Sequence, residues 1–363
     1  MIEPKPCIKK LFRIPPSSLG RAGKIFRLDR NEHTTPFPAS HMKRIWKNMD
    51  PDEIVAYPEL EPFYKKLSKW LGVDRQEVLI SSGSDTAIKA VFEVYVEEGD
   101  EVVMFPPTYE MYAVYCGMFG AAKKEVFYNA DFTLPLKRVI EAINSKTKLI
   151  IIANPNHPGT CFEESQLLEV LKTARNNHAL VLIDEAYYHF CNLTMLPHIY
   201  KFDNLVIVRT FSKAFGIASL RVGYTVSNKS VITDLYKVKL THEITAISAK
   251  FGEYLLDNPG IMTNYVADVK RGIKYLSSEF KKMGFYVPDT SANFLYARLP
   301  AGIDSKKIIA RLKEKNFYIK GPFAVVPING CIRITAGPVK QMYVFMRAFK
   351  TIYEKENQSQ SKV

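Results

Sequence analysis

The sequence predicts an α/β fold: a mostly parallel sheet sandwiched by helices, with a smaller α+β unit after it and an N-terminal arm before it. Three observations predict this. Short, continuously apolar runs alternate with helical patterns over the first 250 residues, as in a parallel sheet covered on both faces. From about residue 250 the texture changes to longer helices with few strands. The first 28 residues hold Pro4, Pro6, Pro15 and Pro16, which favour an extended segment.

The elements follow in order. Leu60, Phe63, Tyr64, Leu67 and Leu71 recur at helical spacing, and Gly72 stops the helix. LIS (79–81) reads as a short strand, and SGSD leads into a helix whose apolar face is Ile88, Val91, Phe92 and Tyr95, ended by Gly99. EVVMF (101–105) is a buried strand stopped by Pro106 and Pro107. The clearest βαβ unit is LIIIA (149–153), the loop NPNHPGT (154–160), a helix carrying Leu167, Leu168, Leu171 and Ala174, and ALVLI (179–183). LVIVRT (205–210) is a further strand running into SKAFG, and FLYARL (294–299) and CIRITAG (331–337) are strands of the later unit. The expected division is an arm at 1–30, a large α/β domain at 31–250, a small α+β domain at 251–353 and a flexible polar tail at 354–363.

At 363 residues, 47% hydrophobic and 24% charged, the chain can bury a large core, which excludes a disordered chain, a fibre and a small disulfide scaffold. Lys and Arg number 50 against 37 Asp and Glu, a formal charge of +13 that favours anionic partners. The basic residues are spread, with no recognised nucleic-acid module, so no nucleic-acid partner is expected. Cys7, Cys116, Cys161, Cys191 and Cys331 are odd in number, scattered and without a CxxC pair; reduced thiols in a cytoplasmic protein are expected, with no metal site. No secretory h-region or spanning apolar run is present, so no membrane partner is expected.

Ligands of open parallel sheets bind at the carboxyl ends of the strands. Three such ends carry suggestive groups. Ser82-Gly83-Ser84-Asp85-Thr86 places hydroxyls at a helix start, which suits either a phosphate or a plain N-cap. Asp184 ends a buried strand, where a carboxylate requires a cation, a protonated heterocycle or a local turn bond. Lys213 follows Ser212 directly after LVIVRT, with Arg221 eight residues on; it is either a surface lysine or an amine nucleophile toward a carbonyl. Thr210, Ser212 and Arg221 suit phosphate. A phosphate cradle, a buried carboxylate and a nucleophilic lysine on one sheet edge are the groups that pyridoxal 5′-phosphate requires.

With YPE (57–59), GSDTAIK (83–89), PPTYEMY (106–112), NPNHPGT (154–160), IDEAYYHF (183–190) and RTFSKAFGIASLRVGY (209–224), the chain resembles fold-type I, class I/II aminotransferases, most of all the histidinol-phosphate aminotransferase group. The similarity runs from LDRNE (28–32) to CIRITAG (331–337). It implies that Lys213 holds the cofactor aldehyde, Asp184 faces the pyridine nitrogen, Tyr187 meets the ring hydroxyl and Tyr109 stacks on the ring. It implies that Ser84, Asp85, Thr210, Ser212 and Arg221 hold the phosphate, that Tyr57 reaches into the partner's site of a homodimer, and that Arg333 grips the α-carboxylate of the donor.

The usual PNNPTG string reads Pro155-Asn156-His157-Pro158-Gly159-Thr160 here. His157 therefore stands where an Asn meets the cofactor's ring oxygen, and its proton is expected to be pH-sensitive there, or Tyr187 holds that oxygen alone. Lys320 stands where the group carries an Arg for substrate phosphate. The implied activity is transamination between an amino-acid donor, glutamate by resemblance, and a small phosphorylated carbonyl acceptor. The alternative is a phospho-amino-acid decarboxylase resembling threonine-phosphate decarboxylase.

Overall fold

The structure is a computed structural model that describes residues 2–11, 25–300 and 302–360. Its strands are Phe26–Arg27 (β1), Val78–Ser82 (β2), Glu101–Met104 (β3), Ala122–Glu125 (β4), Thr147–Ala153 (β5), Leu180–Asp184 (β6), Leu205–Thr210 (β7), Val222–Ser227 (β8), Phe294–Arg298 (β9), Phe317–Tyr318 (β10) and Cys331–Thr335 (β11). Among the described residues, seven strands form the central sheet in the order β2-β8-β7-β6-β5-β3-β4. All run parallel except β8, which pairs antiparallel with both β2 and β7.

The apolar runs become strands because both faces of this sheet are covered. Side chains alternate in β5: Ile150 and Ile152 enter one core, Leu149 and Ile151 the other. Val181 and Ile183 of β6 likewise oppose Leu182, and Leu205 and Ile207 of β7 oppose Val206 and Val208. Helix Gly83–Tyr95 covers the second face through Ala87, Ile88, Val91 and Phe92; helix Glu164–Asn176 covers the first through Leu167, Val170, Leu171 and Ala174. The helix expected over 60–71 is Glu61–Leu71, and Gly72 ends it with φ 71°.

Four strands were not expected from the sequence, β1, β4, β8 and β10, and the two in the central sheet are informative. β4 reads AKKE, a charged edge strand without an apolar run. β8 reads VGYTVS and begins within the motif that contains Lys213. Because β8 runs against its neighbours, its first residue lies on the edge where the other strands end, and Arg221 arrives there with it.

The later residues build a separate antiparallel pair, β9 with β11, beside the long helices Gly260–Lys282 and Val339–Gln360. The N-terminal segment is less extended than its prolines suggest: Pro6–Lys9 is a helical turn, with Pro6 at the position where its missing N–H costs nothing. β1 pairs in parallel with β10, and the Thr335 amide donates to Leu28 O at 2.8 Å. The middle of the expected arm, residues 12–24, lies outside the described residues. The polar end is also more ordered than its composition implies. The last helix continues to Gln360, and Glu356 is buried against Arg311 at 2.5 Å. Among the described residues, no helix is long and apolar enough to cross a membrane.

Candidate active site

Consecutive carboxylates at the end of β6 part company. Strand alternation sends Asp184 to one face of the sheet and Glu185 to the other. Glu185 closes a buried ion pair with Arg209 at 2.7 Å and accepts from Thr194 and the Met195 amide. Arg209 lies over the Tyr188 ring at 4.0 Å. This pair is structural. Asp184 instead accepts from the Tyr112 hydroxyl at 2.8 Å and from the Ala186 amide at 3.0 Å. No ion pair closes on it among the described residues. Burial raises its pKa to about 6, against the lowering effect of those two bonds; the Asp85 charge raises it further and Lys213 lowers it.

Lys213 follows β7 by three residues, close enough for its charge to act on Asp184. Its Nζ is 5.7 Å from the centre of the Tyr187 ring. Tyr187 accepts a 2.9 Å bond at its hydroxyl from Asn31 Nδ2. Asn31, at φ 56°, is itself held by Thr335: its amide donates to Thr335 Oγ1 at 3.0 Å, and Oγ1 donates to Asn31 Oδ1 at 3.1 Å. The segment 28–31 thus ties β11 to Tyr187. Asn31 and Tyr112 are site residues that sequence reasoning did not single out, although LDRNE and PPTYEMY contain them; both act through partners more than 70 positions away.

The start of helix Gly83–Tyr95 forms the second part of the site. Arg221 reaches Asp85 Oδ2 at 3.4 Å and Ser212 Oγ at 3.5 Å. Thr210 Oγ1 donates to Ser212 Oγ at 2.9 Å and accepts from the Ser212 amide at 3.0 Å. Tyr109 donates to Asp85 Oδ1 at 2.7 Å, so the negative charge at this helix start is held from two sides. Two glycines make the approach possible. Gly83 has φ 75°, and a Cβ there would lie within 2.4 Å of the Arg221 guanidinium. A Cβ on Gly223 would lie 2.3 Å from Gly83 C and 2.5 Å from Ser84 N. Ser84 presents its amide at this turn and is partly buried.

His157 is enclosed between Tyr109 and Phe294, with ring centres at 6.4 Å from each. Burial pulls its pKa down to about 3, assisted by the Arg333 and Lys213 charges. In the cofactor-free protein, burial first and the Arg333 and Lys213 charges second thus favour the uncharged imidazole. Phe294, at the start of β9, also packs edge-on against Tyr187 at 5.5 Å and lies under Arg333 at 5.3 Å. Arg333 donates to Asp29 O at 2.9 Å, while its buried Nε has no partner among the described residues. Lys320 is exposed and bridges backbone to backbone with Arg333. Cross-strand neighbours share a face, which puts both cations on one side.

The structure does not bring Tyr57 into this group. It lies at the surface, 79% exposed and stacked on His242 at 4.4 Å. A cleft of about 460 Å³ lies nearby, lined by His33, Phe37, Phe215 and Tyr265 among others. It touches the same loop, since His33 Nε2 is 3.0 Å from Ala214 O, but Lys213 does not line it.

Comparison with known proteins accords with this geometry. Residues 25–349 match the family model for aminotransferase class I and II. A histidinol-phosphate aminotransferase of Caldanaerobacter subterraneus subsp. tengcongensis is 31% identical over 315 residues, 85% of this chain and 88% of the relative. The solved histidinol-phosphate aminotransferase of Sinorhizobium meliloti, in complex with pyridoxal-5′-phosphate, superposes with a TM-score of 0.86 at 23% identity, covering 97% of each chain. An L-threonine-O-3-phosphate decarboxylase of Porphyromonas gingivalis shares the fold with a TM-score of 0.76 at 22% identity, over 90% of this chain and 99% of that one. With nine-tenths of its length inside that family model, the chain belongs to the class I and II aminotransferases.

Proposed function

We propose that this aminotransferase, with the pyridoxal 5′-phosphate on which its family depends, moves an amino group from glutamate to a small phosphorylated carbonyl compound. The carrying observation is the convergence of Lys213, Tyr187, buried Asp184 and the Arg221–Asp85–Ser212 cluster on one edge of the sheet. These residues fit the cofactor. Asp184 is a buried carboxylate without an ion-pair partner, suited to a protonated ring nitrogen. The turn at Gly83 and Gly223 is a cradle that a Cβ would fill, opposite a guanidinium and two hydroxyls.

Bound there, the cofactor supplies an aldehyde that takes an amine and a ring that accepts electrons from the substrate's α-carbon. The residues do the rest. Lys213 Nζ would hold the cofactor's aldehyde carbon and, freed when an incoming amine takes its place, would take the proton from the substrate's α-carbon and deliver it to that former aldehyde carbon. Asp184 keeps the ring nitrogen protonated. Tyr187 accepts a hydrogen bond from Asn31 Nδ2 at its oxygen, so its own hydroxyl hydrogen is free to point at the ring oxygen. Neutral His157 offers a second donor to that oxygen. Tyr109 covers the ring face. Ser84, Asp85, Thr210, Ser212 and Arg221 hold the phosphate, with Asp85 acting through Tyr109 and Arg221.

The unpaired Nε of Arg333 supports binding of a donor carboxylate, and Lys320 beside it supports a phosphate on the acceptor. The +13 charge agrees with anionic substrates. A homodimer is part of the same reading. Ile54, Val55, Tyr57 and Leu240 are 59–84% exposed, an apolar surface near the ring expected to enter the partner's site. The division into a large domain at 31–250 and a small one at 251–353, and a cytoplasmic location, belong to this proposal too.

The test is the half-reaction. Glutamate should bleach the visible band of the loaded protein and release 2-oxoglutarate, and a phosphorylated ketone or aldehyde should restore the band. Release of carbon dioxide from a phospho-amino acid, without a keto product, would instead establish the decarboxylase alternative.

A further inference from the structure

One short segment touches the site at two points. Asn31 meets Tyr187, and two residues on, His33 reaches the loop that carries Lys213. His33 Nε2 lies 3.0 Å from Ala214 O, the carbonyl of the residue after Lys213. A carbonyl oxygen only accepts, so Nε2 carries the hydrogen and the imidazole is the donor. The ends of the loop are fixed elsewhere. The Ser212 amide donates to Thr210 Oγ1 at 3.0 Å, and the Ile217 amide donates to Phe211 O at 3.2 Å. The His33 bond falls between them, beside the lysine.

The imidazole is closely packed. It stacks on Tyr265 of helix Gly260–Lys282, with ring centres 3.3 Å apart and planes inclined by 22°. Gly216, at φ 77°, also stands against it, and a Cβ there would overlap the ring at Cε1 and Nδ1. The backbone around His33 is anchored as well. Asn31 is bonded to Thr335, the Thr34 amide donates to the Tyr265 hydroxyl at 3.2 Å, and Thr34 O accepts from Gln341 Nε2 at 2.9 Å. Burial lowers the His33 pKa to about 4, against the Ala214 and Lys213 backbone groups that raise it, which favours the neutral ring in the cofactor-free protein. Ala214 is buried, so its carbonyl depends on this donor.

We propose that His33 is a positioning residue for Lys213: its Nε2–H holds the Ala214 peptide and so fixes the direction from which Lys213 Nζ approaches the cofactor's aldehyde carbon. This role rests on Lys213 being the lysine that holds that carbon, under the function proposed for the site. Without the donor, the buried Ala214 carbonyl turns toward another partner, and the backbone of Lys213 turns with it. A displacement of about 1 Å at a reacting group can cost about 100-fold in rate.

His33→Phe keeps a flat ring against Tyr265 and removes the donor, whereas His33→Gln restores an N–H at similar reach. In the loaded full-length protein, His33→Phe should move the pH midpoint of the visible band by about half a unit or more. That midpoint reads the basicity of Nζ, which depends on how the nitrogen is turned toward the ring. At saturating glutamate, bleaching of the band should slow by about 10-fold or more, at an unchanged half-saturating concentration. His33→Gln should recover most of both effects. A lowered melting temperature with band midpoint and bleaching rate unchanged would make His33 a packing residue and overturn the proposal. NMR of cofactor-free protein labelled at its histidine nitrogens needs no activity: His33 should be the neutral Nε2–H tautomer at neutral pH. The Nδ1–H tautomer or a charged ring would overturn the proposal. A visible band that survives Lys213→Ala would remove the role of Lys213 and this one with it. A band that depends on Lys213 but ignores His33→Phe would remove the role of His33 alone.

Discussion

Asp184 shows how a single side chain can destabilise one state of a protein in order to serve another. Without the cofactor, burial raises its pKa from 3.8 to about 6. A raised folded pKa contributes stability that is complete below the unfolded value and is lost as pH rises through the folded one. The cofactor-free protein should therefore lose about 3 kcal/mol from this group between pH 4 and pH 7. Melting curves across that range, compared with Asp184→Asn, check it: the variant should lack this component of the slope. With cofactor loaded, Asp184→Asn should keep the chromophore but lose turnover by about 100-fold or more, the scale of a mispositioned proton; near-normal turnover would contradict the role. Glu185 is the opposite case. Glu185→Ala leaves Arg209 buried and unpaired, which should cost about 3–5 kcal/mol in urea unfolding. His157, neutral down to about pH 3, should leave no step in the pH–rate profile between 5 and 8, and His157→Asn should not alter that profile's shape. At this scale the sequence exposes Asp184 because it ends an apolar run, and Lys213 because it follows the end of a strand beside Thr210 and Ser212. It cannot expose Asn31 or Tyr112, whose roles depend on Tyr187 and Asp184 arriving from elsewhere in the chain.

Among the elements, β8 decides the geometry of the phosphate cradle. An antiparallel strand inside a parallel sheet starts where its neighbours end, which brings Arg221 opposite Ser84 and Ser212. Gly223 pairs with both Ser81 and Thr210, and its missing Cβ lets the helix start at Gly83 close over it. Gly223→Ala should overpack backbone against backbone and destabilise by about 1–3 kcal/mol. Loss of cofactor affinity should accompany the lowered urea midpoint; an unchanged affinity would show that the close approach is not what forms the cradle. Strands β5, β6 and β7 were legible because their residues are apolar on both faces. β8 was not, since Gly223, Thr225 and Ser227 interrupt its apolar residues. β4 was not, since edge strands carry charge where central ones carry valine.

The whole molecule couples its two ends around the site. β1 joins β10, Leu28 bonds Thr335, and Asn31 carries that connection to Tyr187, so the N-terminal segment and the last strands are tied to one site residue. The apolar surface around Val55 and Tyr57 has no such use within one chain. The homodimer proposed for it should sediment at twice 41.4 kDa. A monomer at micromolar concentration that is fully active would remove Tyr57 from any shared site. The most direct measurement concerns the amine at the centre. Loaded protein is reduced with borohydride, digested, and its peptides are weighed. The account predicts one pyridoxyl group, on Lys213, and none in Lys213→Ala. The label on another lysine, or no label in wild-type protein that has retained its cofactor, would contradict it.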